Sequence, residues 1–525
     1  MTRPLVLNSY QQNILEWVLH GSGNAVVKAT AGSGKTTTLV EIAKVLPPDI
    51  STRFLAFNKH IAHELQQRLP KHVKAQTIHS LGLSALKSAY PWLDGIRPEA
   101  GKYARLAGLA LRQGATSGDL SADDFTKAQV FLRDLVRYAQ HTLCDPADLE
   151  AVRELAIQYN LTPPDDLDLE RLCYQAVPKV LRVGAAAVRG PEPSLGYEDM
   201  LYLPVRRKLP PPRFDFVLVD EAQDLSPAQL ELTLSALAEG GRAIYVGDER
   251  QSIYGFAGAD ADAIGRIVER SQATMLPLPV CYRCPKTHVR LARQIAPEIE
   301  WAPDAPEGRV DWIEDRHLAK WLRQGDLVLC RYNAPLVRWC LEMLRQGQRA
   351  TVRGRELGEE ILRIAKAAVR RGRANPAGLA THIEALLAEE IGRIRAQGHD
   401  LEMRARLEEA RRDLYAAARA VIEDGLQRGL KTYAELERHT LALFDAEQNP
   451  IVFSTVHRAK GDEADRVFIL HSEAMMAAYA KTPAAVAGEE CVQFVALTRA
   501  RRHLVFVRQA KADEDELPEF SRVVS

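Results

Sequence analysis

The chain has 525 residues, in which 69 Lys+Arg are balanced by 69 Asp+Glu. At roughly 150 residues per domain this length predicts about three to four folding units, each able to bury a core, and excludes a small disulfide-stapled module. Hydrophobic residues at 46% and charged residues at 26% exclude global disorder, and zero net charge excludes a whole-molecule polycation, so nucleic-acid binding has to come from local basic surfaces.

Seven cysteines, an odd number without framework spacing, predict free thiols in a reducing interior. The stretch from Met1 to Asn8 has no apolar leader, and no run of roughly 18 uncharged apolar residues occurs, so a cytoplasmic chain without a membrane span is expected.

In chain order, Ala25-Val26-Val27 predicts a buried strand, followed by a small-residue loop and a helix reaching Leu46. Phe54 to Phe57 predicts a second strand. A long stretch from about Leu81 to Lys208 has Ala, Leu, Arg and Glu at helical spacing and closes on Pro210-Pro211-Pro212, which predicts a helical insertion. Phe216 to Val219 and Ala243 to Val246 resume the strand pattern. A second α/β region then follows, with strands expected at Leu327 to Cys330, Ile451 to Phe453, Val467 to Leu470 and His503 to Val507. It too is interrupted by a helical stretch, from about Leu341 to Asn449. No internal repeat is present. The reading is an α/β protein with two parallel-sheet cores, each interrupted by a mostly helical insertion. The first core takes 1–80 and 209–275 around an insertion at 81–208; the second takes 276–340 and 450–525 around an insertion at 341–449.

Two local patterns carry chemistry. The first strand runs into Ala29-Thr30-Ala31-Gly32-Ser33-Gly34-Lys35-Thr36, then a helix. Small residues let backbone N–H groups wrap phosphate oxygens at a helix N-terminus, with Lys35 on the β- and γ-phosphates and Thr36 on Mg²⁺. Only Ala29 departs from the general pattern, which has Gly there. The strand Phe216 to Val219 ends on Asp220-Glu221, two carboxylates beyond the carboxyl end of a buried strand, where open α/β sheets bind ligands. Asp220 suits Mg²⁺ through water, and Glu221 suits polarising the water that attacks a γ-phosphate.

Asp220-Glu221-Ala222-Gln223-Asp224, with the run from Val246 through Gly247-Asp248-Glu249-Arg250-Gln251 to Phe256, resembles motifs II and III of the superfamily 1 DNA helicases of the UvrD/Rep/PcrA type. Cys281-Tyr282-Arg283 resembles motif IV, the run from Ser454 to Glu463 motif V, and Phe494 to Ala500 motif VI. Leu7-Asn8-Ser9-Tyr10-Gln11 resembles the Q-motif, and Phe57-Asn58-Lys59 and Thr77-Ile78-His79-Ser80 sit where motifs Ia and Ib belong. The resemblance spans nearly the whole chain. It implies two RecA-like P-loop NTPase cores, with the insertions in the place of subdomains 1B and 2B.

The same resemblance implies ATP and Mg²⁺ as cofactors. Ala31, Gly32, Ser33, Gly34, Lys35, Thr36 and Thr37 form the phosphate loop, although many relatives have Arg at the position of Thr37. Gln11 and Tyr282 would read and stack on adenine, and Glu463 would contact the ribose. Gln251 would touch the γ-phosphate, and Arg283 and Arg499 would act on it as arginine fingers. Asn58, Thr77, His79 and His457 are the polar candidates along a single strand. Phe256 is the aromatic candidate for base stacking, against the alternative of a core phenylalanine. Cys281 and Cys284, with no second pair at zinc spacing, read as ordinary thiols.

The implied activity is an ATP-dependent DNA helicase that translocates 3′ to 5′ on single-stranded DNA in repair, recombination or replication. Single-stranded DNA and duplex junctions would be its substrates, single-strand-binding or recombination proteins its candidate partners, and the free chain a monomer. An alternative is a DNA-stimulated ATPase that remodels nucleoprotein complexes with little unwinding; a further one is an RNA helicase.

Overall fold

The computed structural model describes residues 6–114, 122–159, 161, 163–164, 166–252, 263–371, 379–396, 401–445, 449–477 and 480–510. The chain divides into two compact units, Met1–Pro279 and Val280–Ser525.

The first unit is built on a sheet of β1 (Ala25–Ala29), β2 (Thr52–Ala56), β3 (Lys74–Thr77), β4 (Phe214–Val219), β5 (Leu237–Gly247) and β6 (Thr274–Leu278). The order is β3-β2-β4-β5-β1-β6 and every pairing is parallel. Parallel sheets are covered on both faces, which is why interior strands such as β4 read as continuous apolar runs. Successive side chains alternate between two cores. Val27, Phe54 and Leu218 pack with Ile14, Leu39 and Ile42 on one face; Val26, Leu55, Val217 and Val219 pack with Leu230 and Ile264 on the other.

The first insertion has a core of its own. Helices Lys102–Gly114, Ala122–Thr142, Leu149–Gln158 and Leu167–Ala187 bury Phe131, Leu132, Leu135, Val152, Val177 and Val180 together. At its base Lys102 is fully buried, donating to the carbonyls of Gly184 and Ser194, both at 2.8 Å, and to Asp199 at 2.5 Å. Asp199 also accepts from Tyr103 Oη and from the Gly196 N–H, so this buried charge pair is fully hydrogen-bonded.

The second unit opens with a two-stranded ribbon, β7 (Val280–Cys281) and β8 (Glu300–Trp301). Its main sheet comprises β9 (Arg309–Glu314), β10 (Leu327–Cys330), β11 (Ala350–Val352), β12 (Ile451–Thr455), β13 (Ala464–Leu470) and β14 (Ala500–Arg508), ordered β11-β12-β10-β13-β14-β9 and again parallel. The helices of the second insertion share the core of this sheet. Ala418, Val421 and Ile422, on helix Leu401–Gln427, are buried with Leu336, Val337 and Cys340, on helix Asn333–Arg345.

Two expected boundaries move. β6 pairs with β1, so the first sheet continues past 275 to Leu278; β11 pairs with β12, so the second sheet reclaims 350–352 from the expected insertion. The physical reason is position in the sheet. Each expected strand is interior, whereas β3, β6, β9 and β11 are the four edges, half-exposed or very short, and lack a long apolar run. All seven cysteines are free thiols. Among the described residues, no helix is long and apolar enough to cross a membrane.

Candidate nucleotide site

The phosphate loop joins β1 to helix Lys35–Val45 at the carboxyl edge of the first sheet. Gly34, the residue capping this helix, has φ +78°, a left-handed conformation that a side chain would strain. The first N–H groups of the helix have no intrahelical partner and carry the positive end of its dipole, which makes this turn an anion cradle. Ser33 Oγ is buried without a hydrogen-bond partner, a donor that a phosphate oxygen would satisfy.

The Q-motif is tied to this loop. Gln11 accepts from the Asn8 N–H at 3.1 Å, closing a capping box on helix Ser9–His20, and its amide donates to Thr38 Oγ1 at 3.0 Å. Thr38 in turn donates to the Gly34 carbonyl at 3.0 Å. Gln11 is buried, so its amide links the amino-terminal helix to the loop.

Asp220 and Glu221 follow β4 directly. Thr36 Oγ1 donates to Asp220 Oδ2 at 2.8 Å, which brings the two expected Mg²⁺ residues into contact. Burial, with the Glu221 charge beside it, pushes the Asp220 carboxyl up to about 6, opposed by Lys35. A divalent cation would reverse that bias, so the donor set fits the metal. Glu221 has φ +52°, a strained backbone for a residue with a side chain, and its carboxylate sits 3.6 Å from Lys35 Nζ.

A relay leads away from Glu221. Gln223 Nε2 donates to Glu221 Oε2 at 2.6 Å, and Gln223 Oε1 accepts from the Asp248 N–H at 2.9 Å. Asp248 then accepts from Gln251 Nε2 at 2.5 Å. Gly247 leaves the room for this, since a Cβ there would come within 2.8 Å of Gln223 Oε1. Of the expected nucleotide residues, the structure therefore connects Gln11, Lys35, Thr36, Asp220, Glu221 and Gln251 within the first unit.

The remaining ones lie in the second unit. Arg283 Nε donates to Glu463 at 2.6 Å and Nη1 to the Thr498 carbonyl at 3.2 Å. Burial raises the Glu463 pKa, but Arg283 and Arg501 outweigh it and hold the carboxyl below its usual value. Arg499 is fully buried, donating to the carbonyls of Val495 at 3.0 Å and Asp462 at 3.2 Å. Tyr282 is 48% exposed.

Asn58 and Thr77 lie at the carboxyl ends of the neighbouring strands β2 and β3, and each caps the helix that follows: Asn58 accepts from the Ile61 N–H and Thr77 from the Ser80 N–H. Burial lowers the pKa of His79, and that of His457 to about 4, so both imidazoles are neutral near pH 7. Phe256 and Ile253 to Gly255 lie outside the described residues.

The family model described as the UvrD/REP helicase N-terminal domain matches residues 7–271, and that of the UvrD-like helicase C-terminal domain matches 384–511. The chain belongs to the UvrD/REP helicase family. It is similar to F-box DNA helicase protein 1 of Schizosaccharomyces pombe, 27% identical over 265 residues, which are 49% of this chain and 29% of the relative. It is also similar to F-box DNA helicase 1 of Gallus gallus, 26% identical over 48% of this chain and 24% of the relative. ATP-dependent DNA helicase Rep of Escherichia coli is 28% identical over 280 residues, 48% of this chain and 37% of Rep. The match thus spans well under half the length of these relatives.

In this UvrD/REP-family chain, three residues of the known motifs take positions that the motifs alone do not specify. Gln223 and Asp248 are legible in the sequence only as members of motifs, because their contacts depend on the register between β4 and β5. Phe57, expected as the last residue of the second buried strand, instead lies past Ala56, where β2 ends, and is 44% exposed beside Asn58, an aromatic surface next to the strand-path candidates. Phe57 continues the apolar run Phe54-Leu55-Ala56, so no local signal marks where the strand ends.

Proposed function

We propose that the chain is an ATP-dependent DNA helicase that moves along single-stranded DNA from 3′ to 5′ and couples ATP hydrolysis to strand separation. The observation that carries this reading is the Lys35, Thr36, Asp220 and Glu221 constellation, joined through Gln223 to Gln251, in a chain of the UvrD/REP family. Lys35 and the loop N–H groups would bind the β- and γ-phosphates. Thr36 and Asp220 would hold Mg²⁺, which supplies charge neutralisation at the phosphate oxygens. Glu221, kept in place by Gln223, would orient and deprotonate the attacking water, and Gln251 would sense the γ-phosphate. Arg283 and Arg499 would stabilise transition-state charge, each first leaving its present carbonyl partners and Arg283 also the Glu463 carboxylate; Tyr282 would stack on adenine and Glu463, so released, would hold the ribose. Asn58, Thr77, His79, Phe256 and His457 are proposed for the strand path, where neutral donors and aromatic faces tolerate any sequence.

The test is strand separation on two partial duplexes, one with a 3′ tail and one with a 5′ tail, with Lys35→Ala as the blank. Separation from the 3′ tail alone supports the proposal, and separation from the 5′ tail alone overturns the polarity. DNA-stimulated ATP hydrolysis without separation from either would replace it with the remodelling ATPase.

A further inference from the structure

The chain passes from the first unit to the second between Pro279 and Val280. On the first-unit side, Thr30 of the phosphate-loop strand end donates through Oγ1 to the Pro279 carbonyl at 2.9 Å. Directly after the crossing lies Cys281-Tyr282-Arg283-Cys284, where two thiols enclose the tyrosine and arginine given nucleotide roles above. The Cys284 N–H donates to Cys281 Sγ at 3.4 Å, a backbone-to-sulfur hydrogen bond that closes the bend of these four residues. The Cys284 thiol lies 3.5 Å from the Thr498 carbonyl, the same oxygen that accepts from Arg283 at 3.2 Å. One acceptor therefore registers both the thiol and the guanidinium.

These sulfurs differ from the other buried thiols. Burial pushes Cys173, Cys330 and Cys340 up to about 12, as expected for inert core cysteines. At Cys281, hydrogen bonding from Cys284, whose single thiol proton can turn from the Thr498 carbonyl to this sulfur, outweighs burial and lowers the pKa, and the same interaction raises that of Cys284. One sulfur is thus the better nucleophile and the other keeps its proton.

We propose that Cys281 and Cys284 are an oxidation-sensitive thiol pair whose closure to a disulfide displaces Arg283 and slows nucleotide turnover. The oxidant is a hydroperoxide. The Cys281 thiolate attacks one peroxide oxygen, the O–O bond breaks, and a sulfenic acid forms with release of hydroxide. Cys284 sulfur then attacks the sulfenic sulfur, the S–S bond forms and the S–O bond breaks; the thiol protons end on the departing oxygens. Two electrons pass from the sulfurs to the peroxide, giving one disulfide and two waters from hydrogen peroxide. Closure removes the Cys284 donor from the Thr498 carbonyl and draws Cys284 toward Cys281, and Arg283, lying between them, moves with the turn. Both sulfurs are buried, but they border the exposed Tyr282 and a ribbon of two residues per strand, which opens locally at low cost.

The effect on turnover rests on the proposed ATPase; disulfide formation does not. The full chain is titrated with hydrogen peroxide, and each sample is divided between DNA-stimulated ATPase assay and alkylation followed by peptide mass mapping. The expected result is a 281–284 peptide lighter by two hydrogens and blocked to alkylation, a fall in turnover of at least about tenfold, well within what losing an arginine finger costs, and recovery of both with dithiothreitol. Cys284→Ala and, as a second variant, Cys281→Ser should keep their turnover under peroxide. Failure of the disulfide to form, or its formation without loss of turnover, overturns the proposal. If the reduced chain hydrolyses no ATP, the functional reading fails, and the mapping alone decides whether the pair closes.

Discussion

Both units are six-stranded parallel sheets, yet their charged groups are arranged in opposite ways. In the first, acidic and basic side chains converge at the carboxyl ends of β1, β4 and β5, with Lys35, Asp220 and Glu221 held by side-chain partners and by a glycine loop. In the second, the key cations are held by the unit's own carbonyls and carboxylates: Arg499 by Val495 and Asp462, Arg283 by Glu463 and Thr498. A helix N-terminus proposed to cradle phosphate and a set of cations held by the unit's own acceptors are different arrangements. The insertions differ in the same spirit, since the first has a separate core and the second extends that of its sheet.

The contrast breaks most directly on turnover. Lys35→Ala should lower DNA-stimulated kcat by about 10³-fold or more and weaken nucleotide binding, because it removes charge from the cradle. Arg499→Lys should also cost about 10³-fold in kcat but leave nucleotide affinity nearly intact, since the proposed finger role puts its charge on the transition state. Equal loss of nucleotide binding in both variants, measured by titration of a fluorescent ATP analogue, would erase the distinction between the units.

The two insertions can be separated by stability. Lys102→Met should destabilise the first by about 3 kcal/mol, because it leaves Asp199 buried without its cation. Thermal unfolding should then show a first transition moving ahead of the rest. A single cooperative shift would mean that the first insertion is as closely joined to its sheet as the second.

Within the first unit, Gln223→Ala should slow hydrolysis by about tenfold while ATP binding persists, as expected for loss of an amide hydrogen bond to the carboxylate base. Unchanged kcat would remove the relay from the mechanism. The smallest effect is expected at His457. Its folded pKa of about 4 lies below the ordinary value near 6.5, so the unfolded chain takes up the proton first and stability falls as pH drops from about 6.5 toward 4. In chemical denaturation, His457→Asn should lose less stability than the parent over that window; parallel pH curves would contradict the buried neutral imidazole.

The sequence by itself determined what is local. A strand, a glycine loop and a helix lie within a few residues, so the cradle around Lys35 was legible, as was the acid pair after β4. Interior strands were legible because both faces are covered and the chain writes that as an apolar run. The tertiary structure alone decided the rest. Edge strands such as β9, with Arg309, Asp311 and Glu314, are partly solvated and carry no such run, so only pairing reveals them. Gln223 meets Asp248 through strand register, Arg283 meets Glu463 across 180 residues, and the second insertion shares its core with a distant sheet. Contacts between residues far apart in the chain leave no periodicity in it, because the folded backbone, and not the spacing of residues, sets their distance.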